Sequence, residues 1–180
     1  MVDKSKDYKN DFIHQGLNAT DTDYHQRGYH LEVALDVNQV RKFAQTAYDL
    51  GFYIVFVAGL HVRSEEGNDQ DNSGLEVVYQ FARYDQLYRI KARVSVPKSL
   101  KVPSISDIFQ GADWHERETR DLFGVVFDGH PNLKPLLLSE EDSNFHPLLK
   151  QEEKLKSLDE VSWKSGVPET TEKEANDETG

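Results

Sequence analysis

Two stretches of strict alternation, joined by a short link, constrain this chain more than any other feature. Leu75, Val77, Tyr79 and Phe81 alternate with Glu76 and Gln80, and Tyr88, Ile90, Ala92, Val94 and Val96 alternate with Arg89, Lys91, Arg93 and Ser95. Period-two alternation is the mark of a half-buried strand. The connection Arg83 to Leu87 is too short for a crossover, so the two strands form an antiparallel hairpin. Arg89, Lys91 and Arg93 then share one sheet face, a basic stripe that reads first as a solvated face and second as a contact for an acidic helix or partner. Pro97, which cannot donate to a ladder, ends the second strand.

The rest of the chain supplies partners for that hairpin. From Tyr29, YHLEVALDV alternates as a further strand with His30 facing outward. Asp36 or Asn38 can cap a helix whose Val40, Ala44, Ala47 and Tyr48 recur at helical spacing, and Gly51 supplies its stop. Phe52 to Leu60 is continuously apolar, as expected of a central strand covered on both faces. His61 to Gly74 is a polar, turn-rich loop, and His61 with Glu65 and Glu66 lacks the spacing of a preorganised metal site. Val102 to Gln110 reads as a helix start or turn with Ser104 and Ser106 as caps. Residues 1–28 scatter their few apolar side chains and are expected to bury little. Residues 151–180 form an acidic tail, extended or disordered, with Trp163 as its one anchor. The expected fold is α/β (α+β), a mixed sheet of about four to five strands with helices packed on it, in a domain over 29–150.

Composition removes several function classes. With 21 Lys and Arg against 32 Asp and Glu, the net charge of -11 is the wrong sign for a nucleic-acid partner. The chain has no cysteine, which excludes disulfides, Cys-zinc sites and Cys-held iron–sulfur clusters within it. No apolar run approaches the roughly 20 residues of a membrane helix and no signal-like stretch opens the chain, so the expectation is a non-secreted protein that meets a membrane only through another subunit.

Ionisable residues concentrate between Asp113 and Leu133, in DWHERETRDLFGVVFDGHPNL. Asp113 and Glu116 have the spacing of a capping box, which predicts a helix from Trp114 to about Phe123, closed by Gly124. On it Arg117 and Asp121 are four apart, and His115, Glu118 and Asp121 are three apart in turn, so a charge network is expected between the aromatic anchors Trp114 and Phe123. Val125 to Phe127 is a short strand, followed by a turn in which Gly129 takes positive φ and Pro131 restrains His130. Three catalytic readings fail on spacing. His115-Glu116 begins a zincin motif, but Thr119 stands where the second histidine belongs. Glu118 and Asp121 lie one turn apart on one helix and cannot flank a substrate. No serine occupies a nucleophile-elbow context.

The run from Glu116 to Leu133 resembles the signature of the 30 kDa subunit family of respiratory complex I, which includes the corresponding subunits of membrane-bound energy-converting hydrogenases. Glu116, Arg117, Glu118, Asp121, Leu122, Phe123, Gly124, Phe127, Gly129, His130, Pro131 and Leu133 match its fixed positions without a gap. Two departures follow: the family pattern continues with two basic residues where this chain has Lys134-Pro135, and the His-Pro-x-Arg-Lys-Asp run of quinone-reducing members is here His146-Pro147-Leu148-Leu149-Lys150-Gln151.

The resemblance implies an accessory subunit of the peripheral arm of a complex-I-like oxidoreductase, on the cytoplasmic side of the membrane, without cofactor, metal or catalytic residues of its own. It implies a large-subunit partner resembling the 49 kDa or hydrogenase large subunit and an iron–sulfur small subunit, with iron–sulfur clusters, and a nickel–iron or quinone site, held in those partners. Trp114, Glu116, Arg117, Glu118, Asp121, Phe123 and Gly124 are then structural or interface residues, and Gly129, His130 and Pro131 shape a docking turn. The alternative is a free-standing hydrolase using His115, Glu118 and His130.

Overall fold

A computed structural model describes residues 8–61 and 74–149. The expected loop centre with Glu65 and Glu66, and the acidic tail with Trp163, lie outside the described residues. In chain order the elements are helix α1 (Tyr8–His14), strand β1 (Asn18–Asp21), helix α2 (Tyr24–Arg27), strand β2 (Leu31–Leu35), helix α3 (Val40–Asp49), strands β3 (Tyr53–His61), β4 (Leu75–Ala82), β5 (Arg89–Ser95) and β6 (Lys101–Pro103), helix α4 (Ala112–Phe123) and strand β7 (Val126–Asp128). A mixed five-stranded sheet runs in the order β1-β2-β5-β4-β3, and β6 and β7 form a small parallel pair.

The hairpin read from the alternation is β4–β5, antiparallel, with Tyr79 opposite Ala92 and Phe81 opposite Ile90. Its inward residues Val77, Tyr79, Phe81, Ile90, Ala92 and Val94 are buried and form the middle of the core. β2 joins β5 in parallel, and α3 covers the inner face through Val40, Phe43, Ala44 and Ala47. A short 3₁₀ turn, Val37–Gln39, leads into α3, and Asp36 borders it with its N–H donating to Gln39 Oε1. The basic stripe faces the acidic neighbours that the register brings beside it. Glu32 lies 3.2 Å from Arg93 and 3.8 Å from Lys91, and Arg93 reaches Glu76 at 3.8 Å.

Three expectations are corrected. The apolar strand β3 lies at the edge of the sheet, and β5 is central. Its apolar character on the inner side answers to α4, while Val55 and Leu60 stay exposed. The N-terminal segment belongs to the core: Phe12 is fully buried and stacks on Phe43 at 5.3 Å, Tyr8 and Leu17 are buried, and β1 pairs with β2. Tyr8 and Phe12 are four apart on α1, so two large side chains on one helix face supply the burial that their low frequency concealed. His30 is less of a plain outward residue than the alternation suggests. Its ring lies between those of Tyr24 and Tyr88, and its Nδ1 accepts from the Arg89 N–H.

Candidate functional site

Helix α4 carries the signature and begins two residues earlier than its side-chain pattern suggests. Main-chain bonds from Ala112 N to Phe109 O and from Asp113 N to Gln110 O wind the chain into the helix, with Gly111 at the N-cap. The capping box of Asp113 and Glu116 does not form, because the first amides are already committed. Glu116 turns instead into the core. Its Oε2 accepts from Ser104 Oγ at 2.5 Å and its Oε1 from the Ile105 N–H at 2.8 Å, so the carboxyl lashes the 104–106 stretch to α4. Ser104 and Ser106, expected as helix caps, are buried parts of that lashing, with their hydroxyls 2.9 Å apart. The stretch from Val102 to Gln110, expected as a helix start or turn, begins in β6 and continues as this turn.

Burial pushes the Glu116 carboxyl up to about 7, the hydrogen bonds from Ile105 and Ser104 opposing the shift and the carboxylates of Asp113 and Asp107 adding to it. The buried Tyr79 hydroxyl feels the same charge: desolvation first, then Glu116, raises it well above the usual phenol range.

Arg117 and Asp121, expected to pair with each other, both turn to the segment that follows Leu133. Arg117 donates from Nε to Lys134 O at 3.1 Å and from Nη2 to Pro135 O at 3.0 Å. Asp121 is fully buried, and its Oδ2 accepts the N–H groups of Leu136, Leu137 and Leu138 at 2.7, 2.8 and 3.2 Å, while Oδ1 takes Arg120 at 3.1 Å. A guanidinium fork takes carbonyls and a carboxylate takes amides, which satisfies more buried polarity than one salt bridge would. Desolvation raises the Asp121 carboxyl, but the three amides and Arg120 outweigh it and hold it below the usual carboxylate range. Because these contacts run to the main chain, Lys134-Pro135 is gripped without the basic pair of the family pattern.

The segment then crosses the end of the helix. His146 Nδ1 lies 3.0 Å from Asp121 O, and the Leu148 N–H donates to Leu122 O at 3.0 Å. Gly124, at φ 76°, closes α4, and a Cβ there would stand 2.9 Å from the His146 ring. Phe123 is buried over β3, where a Cβ on Gly59 would lie 2.3 Å from its ring. Gly129 takes φ 84° in the turn after β7. It leads to His130, whose Nδ1 accepts the Asn132 N–H at 3.0 Å, which leaves Nε2 to donate to Asp113 O at 3.2 Å. Asp113 Oδ1 and Glu116 Oε2 lie 3.6 and 3.9 Å from the same nitrogen, and the His130 side chain is fully buried. Pro131 follows on the surface.

The residues named from the sequence therefore divide. Glu116 and His130 meet in the interior with the half-buried Asp113 at its edge, Arg117 and Asp121 clamp a segment, and Phe123, Gly124 and Gly129 fix close approaches and turns. Trp114, expected as a buried anchor, is 68% exposed. Glu118 is half exposed and among the described residues meets only His115, at 3.9 Å. His115 and Glu118 do not converge with the buried His130, so the hydrolase constellation does not assemble. Among the described residues no group of three or more His, Asp or Glu side chains could hold a metal ion. Sequence reasoning missed Gly59, signalled by a lone glycine within an apolar strand. The sequence also marks Phe145, Leu148 and Leu149 as apolar anchors after Leu138, but only Leu149 packs against the core, while Phe145 and Leu148 are exposed because the segment is held by its main chain.

The family described as the respiratory-chain NADH dehydrogenase, 30 Kd subunit, matches residues 33–157. The NADH-quinone oxidoreductase C subunit of Mesorhizobium japonicum is 48% identical over 77 residues, 42% of this chain and 37% of that protein. The protein of the same name from Xanthobacter autotrophicus is 35% identical over 124 residues, 67% of this chain and 56% of that protein. The chain thus spans about a third to just over half the length of these relatives. Among solved structures, a trypsin-resistant fragment of Nqo5 aligns at TM-score 0.56 with 26% identity, covering 69% of this chain and 95% of that one. A chain of the membrane-bound sulfane sulfur reductase, an archaeal respiratory membrane complex, aligns at TM-score 0.66 with 19% identity over 89% of this chain and 96% of that one, a likeness of fold.

Proposed function

The chain belongs to the respiratory-chain NADH dehydrogenase 30 Kd subunit family, and from that premise we propose that it is an accessory subunit in the peripheral arm of a complex-I-like membrane-bound oxidoreductase. It acts as a cofactor-free scaffold, packing against a large subunit of the 49 kDa or hydrogenase type and an iron–sulfur small subunit. Those partners carry the clusters and the quinone or nickel–iron site, and electron transfer there is coupled to ion translocation. The complex lies on the cytoplasmic side of the membrane, and this chain reaches the membrane only through it. No helix among the described residues is long and apolar enough to cross a membrane, in keeping with a peripheral role.

The observation that carries this reading is the direction in which the signature charges point. Arg117, Asp121 and Glu116 spend their hydrogen bonds on this chain's own backbone and on Ser104, rather than on an open cleft. A catalytic acid or base must reach a proton on its substrate. These groups, committed inward, instead set the shape of a surface. The hydrolase reading has no such support, since the buried His130 ring faces Asp113 and Glu116 rather than the His115–Glu118 pair. The test is to tag the full chain in its native cell, extract the membranes in mild detergent and identify what co-purifies. The expected partners are a hydrogenase-like large subunit and an iron–sulfur subunit. Recovery as a lone monomer in the soluble fraction would overturn the proposal.

A further inference from the structure

The 134–149 segment has its main chain held inward and its large apolar side chains turned outward. Main-chain groups of Leu136 to Leu138 and Leu148, and the ring of His146, converge on Asp121 and Leu122 at the end of α4. Yet Leu137, Phe145 and Leu148 are 59, 58 and 50% exposed. A segment ordered this closely with three large hydrophobes left in water is unlike a solvated loop, which keeps such side chains few and scattered. Between them lies the acidic run Glu140-Glu141-Asp142, all exposed, with Asp142 tied back to Ser139 Oγ at 2.9 Å.

We infer that Leu137, Phe145 and Leu148, edged by Glu140 and Glu141, are a docking surface for a protein partner whose facing surface is an apolar depression bordered by Lys and Arg. Recognition runs through side chains, because the amides of Leu136 to Leu138 are already taken by Asp121 and are not available for strand addition. Charge selects the kind of occupant. An isologous contact with a second copy would set acidic run against acidic run on chains of net charge -11, and an anionic lipid surface would repel the same run. A basic rim around an apolar pocket satisfies both parts. The inference rests on the proposed role as a subunit of a membrane complex and names the surface that makes the contact.

The test uses the full chain in its native cell with Leu137→Ser/Phe145→Ser, Glu140→Lys/Glu141→Lys, and the wild type. In both variants the fraction of the chain in the membrane complex is expected to fall by about tenfold or more, the scale of losing central interface anchors. The melting temperature of the purified full-length variants is expected to stay at the wild-type value, since the altered side chains are exposed. A photo-cross-linking residue placed at Phe145 is expected to join a partner peptide containing apolar residues and Lys or Arg. Wild-type levels of assembly in the Leu137→Ser/Phe145→Ser variant, or cross-links to a second copy or to lipid, would overturn the docking surface alone. Failure of the wild-type chain itself to enter a membrane complex would overturn the proposed function together with it.

Discussion

Asp121 and Leu137 meet carboxylate to amide at 2.8 Å, and this contact, flanked by those to Leu136 and Leu138, fastens the segment after β7 to the helix. An asparagine in its place could keep its one oxygen on the three amides, but uncharged and with its own N–H donors turned toward the Arg120 guanidinium. Asp121→Asn is therefore expected to cost about 2–4 kcal/mol of stability, as for breaking a buried charge-assisted set. The folded-state carboxyl sits below its ordinary value, so its stabilisation is present above the unfolded value and is lost as pH falls through the lower folded one. Chemical denaturation at pH 7 and at pH 3 checks both points, with the gap between wild type and variant narrowing at pH 3.

Glu116 behaves in the opposite sense. Its carboxyl rises from 4.5 unfolded to about 7 folded, so the folded state binds the proton more tightly. Its protonated form stabilises the fold fully below pH 4.5, and that contribution is lost as pH rises through 7, a span worth roughly 3 kcal/mol. Asp113, Asp107 and His130 surround it, with Tyr79 and Arg41 also within electrostatic reach. Glu116→Gln keeps an acceptor for the Ile105 N–H and removes the titration. Denaturant titrations are expected to place the variant close to wild type at pH 5 and roughly 1–3 kcal/mol above it at pH 8. A variant weaker than wild type at pH 8 would contradict the assignment.

Gly59 and Phe123 form a steric pair. A methyl on Gly59 would press into the ring at 2.3 Å, so Gly59→Ala is expected to cost about 2–3 kcal/mol by overpacking. Phe123→Leu is destabilising by itself, but the double variant is expected to lose less than the sum of the two, because the smaller side chain makes room. Thermal unfolding of the four proteins in a double-mutant cycle measures that coupling.

Tyr79 is buried in the middle of the sheet, and its hydroxyl has no hydrogen-bond partner among the described residues. Tyr79→Phe removes an unsatisfied polar atom at nearly constant volume and is expected to raise stability by about 1 kcal/mol, read as an upward shift in melting temperature.

Periodic elements were legible because their burial repeats with their geometry. The β4–β5 hairpin, β2, α3 and the closure of α4 at Gly124 all follow from spacing and turn chemistry. What spacing did not carry was choice of partner. Arg117 and Asp121 stand four apart and could have paired, yet a main-chain segment thirteen to seventeen residues on from Asp121 offered both of them better-matched donors and acceptors. Glu116 had the position of a capping residue, but burial against Ser104 and Ile105 took it instead. The strand β3 looked central because both of its faces are apolar, and sequence does not say whether a neighbouring strand or a helix supplies the cover. In the N-terminal segment, two well-placed aromatics outweigh a polar average.

Turnover per assembled complex tests the central claim most directly. The complex would be purified through its large subunit from cells carrying wild-type or Asp121→Asn chain, and electron-transfer rate would be normalised to the amount of large subunit bound to this chain. A scaffold predicts less assembled complex in the variant, with an unchanged rate for each complex that does assemble. Full assembly with a collapsed rate per complex would contradict it and place Asp121 in the chemistry.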